Sequence, residues 1–426
     1  MTQITPLDSG GSEALPQSGG LSKFNAALRA LRYRNYRLFF AGQLVSLVGT
    51  WMQTIAQSWL VYRLTGSSFM LGSIGFASQI PIFLLAFIGG TMADRYNRHR
   101  IIVGAQAASM ILALILSVLT LTETVRIWHI FVLSVLLGIV NAFEMPARQA
   151  FVVELVRKED LMNAIALNSS VFNGARVLGP SVAGILIASI GEGWCFFANG
   201  ISYIAAIAGL LLMRLEAHER TARSQSAISN VLEGFQFVRC TKPIRALLLL
   251  LGLVGLFAMP YSVLMPIFAD KILHGGPRGL GILMGATGLG ALAGSVFMAA
   301  KSDTRGLGKM VAFACAGFAS GLILFSISRY FWLSALFLVP VGFSLMVQMA
   351  CTNTLIQIMV PDSLRGRVMA THVWMFLGMA PFGSFLAGAI ANHVGAPATI
   401  LIGATLCLAG SGLFASRLPR LHLTSQ

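Results

Sequence analysis

The chain has 426 residues, of which 56% are hydrophobic and 11% charged, and its formal net charge is +15. Soluble domains have about 25% charged residues, so this composition excludes an ordinary soluble fold and favours a protein embedded in lipid. Since a bilayer-spanning helix needs about 20 apolar residues, the length accommodates about ten to fourteen spans.

The N-terminal segment, residues 1–35, is rich in Ser, Gly, Gln and Pro at its start and lacks the apolar core of a signal peptide, so we predict a disordered tail. Twelve apolar segments follow, each long enough to cross a bilayer. They cover residues 38–62, 69–91, 101–121, 127–147, 164–189, 194–213, 246–268, 279–300, 309–328, 332–355, 367–391 and 396–415. The sequence therefore predicts an all-α membrane protein with twelve transmembrane helices.

A polar connection over residues 214–245 divides these spans into two halves of six, residues 36–213 and 246–416, and residues 417–426 form a short tail. Within the connection, residues 228–238 place apolar side chains at helical spacing, which predicts a helix on the membrane surface. A shift of about 204 residues superimposes Gly179 on Gly383 and Gly191 on Gly395, which favours two homologous halves. We expect a monomer.

The basic residues lie between the spans and are unevenly distributed. Most Lys and Arg residues fall in the tails and in the loops on the same side as the termini. The opposite loops carry only Arg63, Arg126, Lys271, Arg278 and Arg329. This asymmetry predicts cytoplasmic termini in a bacterial inner membrane, and it explains the net charge without nucleic-acid binding. The five cysteines and seven histidines are scattered, so we expect no metal site, and no cofactor is implied.

Residues 90–100, after the second span, read Gly-Thr-Met-Ala-Asp-Arg-Tyr-Asn-Arg-His-Arg. This loop resembles the signature of the major facilitator superfamily, with Asn97 and His99 as departures. Asn tolerates a left-handed backbone, so we expect a tight turn at Asn97. The resemblance implies two pseudo-symmetric six-helix bundles and a cytosolic gate that locks the halves together in the outward-facing state. The gate residues are Gly90, Asp94, Arg95, Arg98 and Arg148.

Span five contains Gly179, Pro180 and Gly184 in a pattern similar to the Gly-Pro motif of the superfamily's antiporters. Ordinary helix packing is the alternative, because Gly and Pro are frequent in transmembrane helices. Residues 141–155 resemble the subgroup that contains the enterobactin exporter and macrolide efflux proteins, the transmembrane secretion effectors. Both resemblances imply export.

Polar side chains within the spans indicate a substrate path. Arg176 is the deepest charge, and a charge at mid-membrane costs about 2.5–3.5 kcal/mol or more, so we expect a compensating anion, carboxylate or carbonyl. The superfamily assigns spans one, four, seven and ten to the path. The candidates for the path are Arg176, Asn173, Asn141, Gln53, Gln57, Tyr261, Gln348 and Thr352. For each of the polar residues, a hydrogen bond between helices is the alternative.

Glu144 and His372 are the candidate proton carriers, because burial moves a carboxylate toward the titration range needed for coupling. A structural Glu144, paired with Arg176, is the alternative.

The predicted function is secondary active export of a small amphipathic molecule, a siderophore-like metabolite or a drug, by alternating access and proton antiport. The alternatives are an importer or symporter on the same scaffold and, less favoured, a non-transport membrane protein. An enzyme is not expected, since the spans show no nucleophile with a base and no metal cluster. The expected partners are the substrate, protons and lipid.

Overall fold

A computed structural model describes residues 29–214, 235–301 and 303–418. All regular elements in these ranges are helical, and twelve helices are long and apolar enough to cross a membrane, which confirms the predicted fold class. We number them α1 Arg34–Thr65, α2 Ser68–Arg95, α3 Arg98–Leu121, α4 Ile127–Glu154, α5 Leu161–Ile190, α6 Glu192–Leu211, α7 Lys242–Ile272, α8 Gly276–Ala300, α9 Leu307–Ile327, α10 Phe331–Met359, α11 Asp362–Val394 and α12 Ala396–Arg417.

Several helices extend beyond the apolar segments. The first predicted span starts at residue 38, whereas α1 starts at Arg34. Helical backbone satisfies its own hydrogen bonds in lipid, and polar residues at the interface do not interrupt it.

The expectation of a left-handed turn at Asn97 is wrong. Asn97 has φ −67° and ψ 110°, and its side chain accepts a hydrogen bond from the Arg100 amide at 3.2 Å. The residue is therefore the N-cap of α3, a position that requires extended backbone.

The predicted disordered tail is ordered at its end. Residues 1–28 lie outside the described part of the chain, but Arg29–Arg32 form a short 3₁₀ helix. Arg29 and Arg32 both form ion pairs with Asp160, whose side chain is 1% exposed, and the Tyr33 hydroxyl donates to it at 2.7 Å. These contacts hold the segment before α1 against the connection between α4 and α5.

The structure also differs from the prediction at the end of the connection between the halves. Residues 215–234 are outside the described ranges, so most of the predicted surface helix at 228–238 is too. Residues 235–240 are helical, and α7 already begins at Lys242. α7 contains two π-helical segments, Val254–Ala258 and Phe268–Ile272.

The helix bounds follow the register of the sequence repeat. α4 begins at Ile127 and α10 at Phe331, and α5 and α11 both end before a glycine with positive φ, Gly191 at 91° and Gly395 at 85°.

We call the face on which residues 29 and 418 lie the terminal face and the opposite one the distal face.

The two halves meet along α2 with α11 and along α5 with α8. Gly72 of α2 lies against Gly388 of α11, and Gly184 of α5 lies against Gly281 of α8. All four glycines lie in the distal parts of their helices, where the absence of side chains allows the backbones to approach closely. The halves are therefore in tight contact near the distal face.

Candidate substrate cleft

A cleft of about 480 Å³ lies between α2, α4 and α11 in the terminal part of the molecule. This volume is in the usual range for sites that bind small molecules. The cleft is lined by Ile82, Phe83, Ala86, Phe87, Gly90, Thr91, Asp94, Asn141, Ala142, Met145, Pro146, Gln149, Gly366, Met369, Ala370, Val373, Trp374 and Gly378. Both halves contribute to it, because α2 and α4 belong to the first half and α11 to the second.

The cleft is mostly apolar at its deep end, where Asn141 is the polar lining residue of α4, and more polar toward the terminal face. At the deep end the rings of Phe83 and Trp374 stack across the two halves, with centroids 5.0 Å apart and an angle of 24° between the planes. Thr91, Asp94 and Gln149 lie closer to the terminal ends of α2 and α4. None of the lining residues that the structure describes carries a basic side chain.

Two of the predicted gate residues, Gly90 and Asp94, line this cleft. The Asp94 side chain is 77% exposed and accepts a hydrogen bond from Arg98 at 3.4 Å. Arg98 also donates to Glu154 at 2.8 Å, whereas Arg95 is exposed. All of these contacts join residues of the first half. These contacts of Asp94 and Arg98 therefore do not bridge the cleft between the two halves.

Glu144 lies in a buried polar network inside the first half. It is 6% exposed, accepts a hydrogen bond from Gln106 of α3 at 2.9 Å, and lies 3.9 Å from the Arg148 guanidinium. Arg148 also donates to Gln43 of α1 at 3.1 Å. The sequence left open whether Glu144 pairs with Arg176. In the structure the guanidinium beside Glu144 is that of Arg148, which the sequence analysis did not consider as its partner.

Polar residues of α1 bond to neighbouring helices of the same half. Gln53 accepts a hydrogen bond from Asn199 of α6 at 2.6 Å, and Gln57 donates to Ser134 of α4 at 2.8 Å. For these two path candidates the structure shows the alternative, a hydrogen bond between helices. Asn141 is the path candidate that lines the cleft.

Sequence reasoning missed the partners of these groups, Gln106 and Asn199, because α3 and α6 are not path helices. The sequence did contain a signal for these two residues, because a polar side chain in a predicted span needs a partner within the protein.

Arg176 is half-buried and lies outside the cleft. Its guanidinium carbon is 5.8 Å from the centre of the Trp51 ring of α1, close enough for a cation–π interaction. The described residues provide it with no ion pair or side-chain hydrogen bond. Trp51 was not among the compensating groups we expected for Arg176. Asn173, one turn earlier, donates to the Ser169 carbonyl at 2.9 Å.

The candidates of the second half are buried. Tyr261, Gln348 and Thr352 are at most 4% exposed. The side-chain amide of Gln348 and both ring nitrogens of His372 have no hydrogen-bond partner among the described residues. His372 does not line the cleft, although its neighbours Val373 and Trp374 do.

The Gly-Pro motif of α5 lies at two helix contacts. A Cβ on Gly179 would lie 2.5 Å from the Trp51 Cβ atom of α1, and one on Gly184 would lie 3.0 Å from the Gly281 Cα atom of α8. Pro180 is buried, and its carbonyl oxygen faces Gly281. The motif thus serves close packing, and its role in antiport stays a prediction.

Within the described ranges there is no group of three or more His, Cys, Asp or Glu side chains that could hold a metal ion.

The comparison with protein families decides the family. The family model described as transmembrane secretion effector matches residues 25–425. The chain belongs to this family. The chain is a multi-pass membrane transporter of the major facilitator superfamily, so the predicted resemblance is confirmed.

Curated relatives of this chain include transporters of different substrates. It is 26% identical to the staphyloferrin A transporter of Staphylococcus aureus, over 91% of this chain and 98% of that protein. It is 27% identical to the multidrug efflux pump Tap of Mycolicibacterium fortuitum, over 90% of this chain and 96% of that protein. Among solved structures, the nucleoside transporter NupG aligns with a TM-score of 0.70 and 12% identity, covering 92% of this chain and 98% of that one. At this identity the likeness to NupG shows the fold alone.

Proposed function

We propose that this transporter exports an amphipathic small molecule by alternating access, with its terminal face in the cytosol of a bacterium and with proton antiport as the driving force. The observation that carries the proposal is the cleft, which both halves build in the terminal part while their distal parts are in contact. The uneven distribution of basic residues supports the orientation. Relatives that act as efflux pumps support the direction.

In the proposed cycle, the substrate enters the cleft from the terminal side and the halves then rock to open the distal side. This movement must separate the distal contacts of α2 with α11 and of α5 with α8. It must also break the hydrogen bond that Tyr62 of α1 donates to Asp270 of α7 at 2.8 Å. Closure of the terminal side would bring Asp94 and Arg98 toward the second half.

Glu144 is the proposed proton carrier. It is buried, and its nearest cation, Arg148, is itself held by Gln43. Protonation of Glu144 would remove the negative charge that faces Arg148 and would change the balance between these contacts. A buried carboxylate with one cationic partner can therefore link proton binding to the position of α4 against α1.

The direction of transport can be tested in membrane vesicles. We expect everted vesicles to accumulate a member of a panel of ethidium, erythromycin and a catecholate siderophore when an inward-acidic pH gradient is imposed. Nigericin, which dissipates that gradient, should abolish the accumulation. Accumulation by right-side-out vesicles alone would refute export and favour the importer alternative.

The coupling can be tested with matched carboxylate variants. Glu144→Gln should abolish gradient-driven accumulation but preserve exchange of labelled for unlabelled substrate, because exchange needs no net proton transfer. Glu123→Gln, in an exposed distal loop, is the control and should behave as the wild type. Gradient-driven accumulation by Glu144→Gln would exclude Glu144 as the proton carrier.

A further inference from the structure

The α2–α11 contact contains a ladder of aromatic rings. Phe69 and Phe76 of α2 contact Phe385 of α11 at centroid distances of 5.6 and 5.7 Å, and Phe83 contacts Phe382 at 5.9 Å. All of these pairs are edge-on or tilted. The last pair, Phe83 with Trp374, is the one that is stacked, and both of its rings line the cleft.

The position of the Phe83 ring depends on Gly378 of α11. A Cβ atom on Gly378 would lie 2.6 Å from the Cε2 atom of Phe83. Since carbon atoms pack at about 3.5–4.0 Å, any larger residue at Gly378 would displace the ring. The glycine thus provides the space in which Phe83 lies flat against Trp374.

We propose that the Phe83–Trp374 pair is an aromatic platform that binds a planar aromatic group of the substrate. The proposal rests on the proposed transport function and specifies its substrate class. Offset stacking on aromatic side chains favours flat, polarisable ring systems over saturated groups of similar volume.

The rest of the cleft determines which chemical groups the other end of the substrate can carry. Phe83 and Asp94 are eleven residues apart on α2, which is roughly 16 Å at 1.5 Å per residue. A substrate that reaches from the platform to Thr91, Asp94 and Gln149 has an aromatic end and a polar end. Asp94 is the one formally charged side chain among the described lining residues, and Arg98 already pairs with it. The described lining has no basic side chain to compensate an anion, so the cleft disfavours anionic molecules relative to neutral or cationic ones.

The test is equilibrium binding to the purified full-length protein in lipid nanodiscs. The probes are ethidium, which is planar and cationic, decyltrimethylammonium, which is saturated and cationic, and anthracene-2-carboxylate, which is planar and anionic. Ethidium binding is followed by fluorescence anisotropy and the other two by competition. We expect ethidium to bind at least about 10-fold more tightly than either competitor, which is about 1.4 kcal/mol.

The variants separate ring stacking from apolar volume. Phe83→Leu and Trp374→Leu keep an apolar side chain but lose the ring, and each should weaken ethidium binding about 10-fold, or about 1.4 kcal/mol. Binding of decyltrimethylammonium should change less than about twofold, because its saturated chain lies at the platform and does not stack on a ring, whereas its ammonium group lies toward the polar end of the cleft. Gly378→Ala should also weaken ethidium binding by displacing Phe83.

Two control variants complete the design. Phe76→Leu and Phe69→Leu each remove a ring of the same ladder that does not line the cleft. Both should bind ethidium as the wild type does. Thermal unfolding of each variant, measured without probe, shows whether it is folded.

The result that overturns the platform is wild-type ethidium affinity in folded Phe83→Leu and Trp374→Leu proteins. Equal affinity of the wild type for ethidium and decyltrimethylammonium, or tighter binding of the anionic probe, would also overturn it. Binding is measured without flux, so the two proposals fail separately. A vesicle experiment without export would leave a confirmed platform intact, and export with unchanged Leu variants would refute the platform alone.

Discussion

Adding a methyl group at the distal glycine contacts should push the transporter out of the state described here. A Cβ atom on Gly72 would lie 2.5 Å from the Ser384 carbonyl oxygen and 2.8 Å from the Gly388 Cα atom. Both neighbours are backbone atoms and cannot rotate away. The overlap is roughly 1 Å, given normal packing distances of about 3.5–4.0 Å.

Overpacking of this kind costs about 1–3 kcal/mol. In Gly72→Ala only conformations with α2 and α11 in distal contact bear this cost, whereas the helix propensity gained from Ala is shared by all conformations. A penalty of about 2 kcal/mol shifts the ratio of distal-closed to distal-open molecules roughly 30-fold. Gly184→Ala should have a smaller effect, because its nearest atoms would be at 3.0 Å. Gly174→Ala on the same helix α5 is the control, since nothing lies within 4 Å of its Cβ position.

The assay is double electron–electron resonance between spin labels on the distal loops, at Thr124 in the first half and Tyr330 in the second. Both positions are exposed, and a Cys240→Ser background removes the one exposed native thiol. The long-distance population should increase in the order Gly174→Ala, Gly184→Ala, Gly72→Ala. A Gly72→Ala protein with the distance distribution of Gly174→Ala would refute the reasoning. A lower unfolding temperature without a shift in distance would show that Gly72 serves packing alone.

Three further predictions concern the terminal face. Cys240 should react with a membrane-impermeant maleimide in everted vesicles but not in intact spheroplasts, and Thr124→Cys in a Cys240→Ser background should show the opposite. The reverse pattern would refute the orientation. Asp94→Asn should reduce flux severely while ethidium affinity changes only a few fold, because Asp94 is largely exposed and already bonded to Arg98. Loss of binding with normal flux would contradict its gate role. Asp160→Asn should accelerate trypsin cleavage after Arg29, since that side chain holds the segment before α1, and unchanged cleavage would contradict this role.

The sequence by itself determined the twelve spans, the two halves and the family. Spans follow from apolar length, because lipid forces each segment to satisfy its own backbone hydrogen bonds. The loop around Asp94 and residues 141–155 were sufficient for the superfamily and its subgroup, since both are local patterns.

Only the tertiary structure decided which polar groups meet. The spacing of Gln53 and Gln57 places them on one face of α1, but spacing alone does not say whether that face is turned toward the path or toward α4 and α6. Likewise, Glu144 has Gln106 of α3 as a neighbour, and Arg176 has the ring of Trp51, because helix rotation and depth are set by packing between distant segments.

The cleft was also beyond the reach of sequence patterns. Phe83 and Trp374 are apolar residues in two apolar helices, and nothing in either helix distinguishes them from side chains that face lipid. Their stacking depends on Gly378 and on the angle at which α2 meets α11. Lipid and protein interior are equally apolar, so hydropathy identifies a membrane helix without showing which of its faces meets a partner.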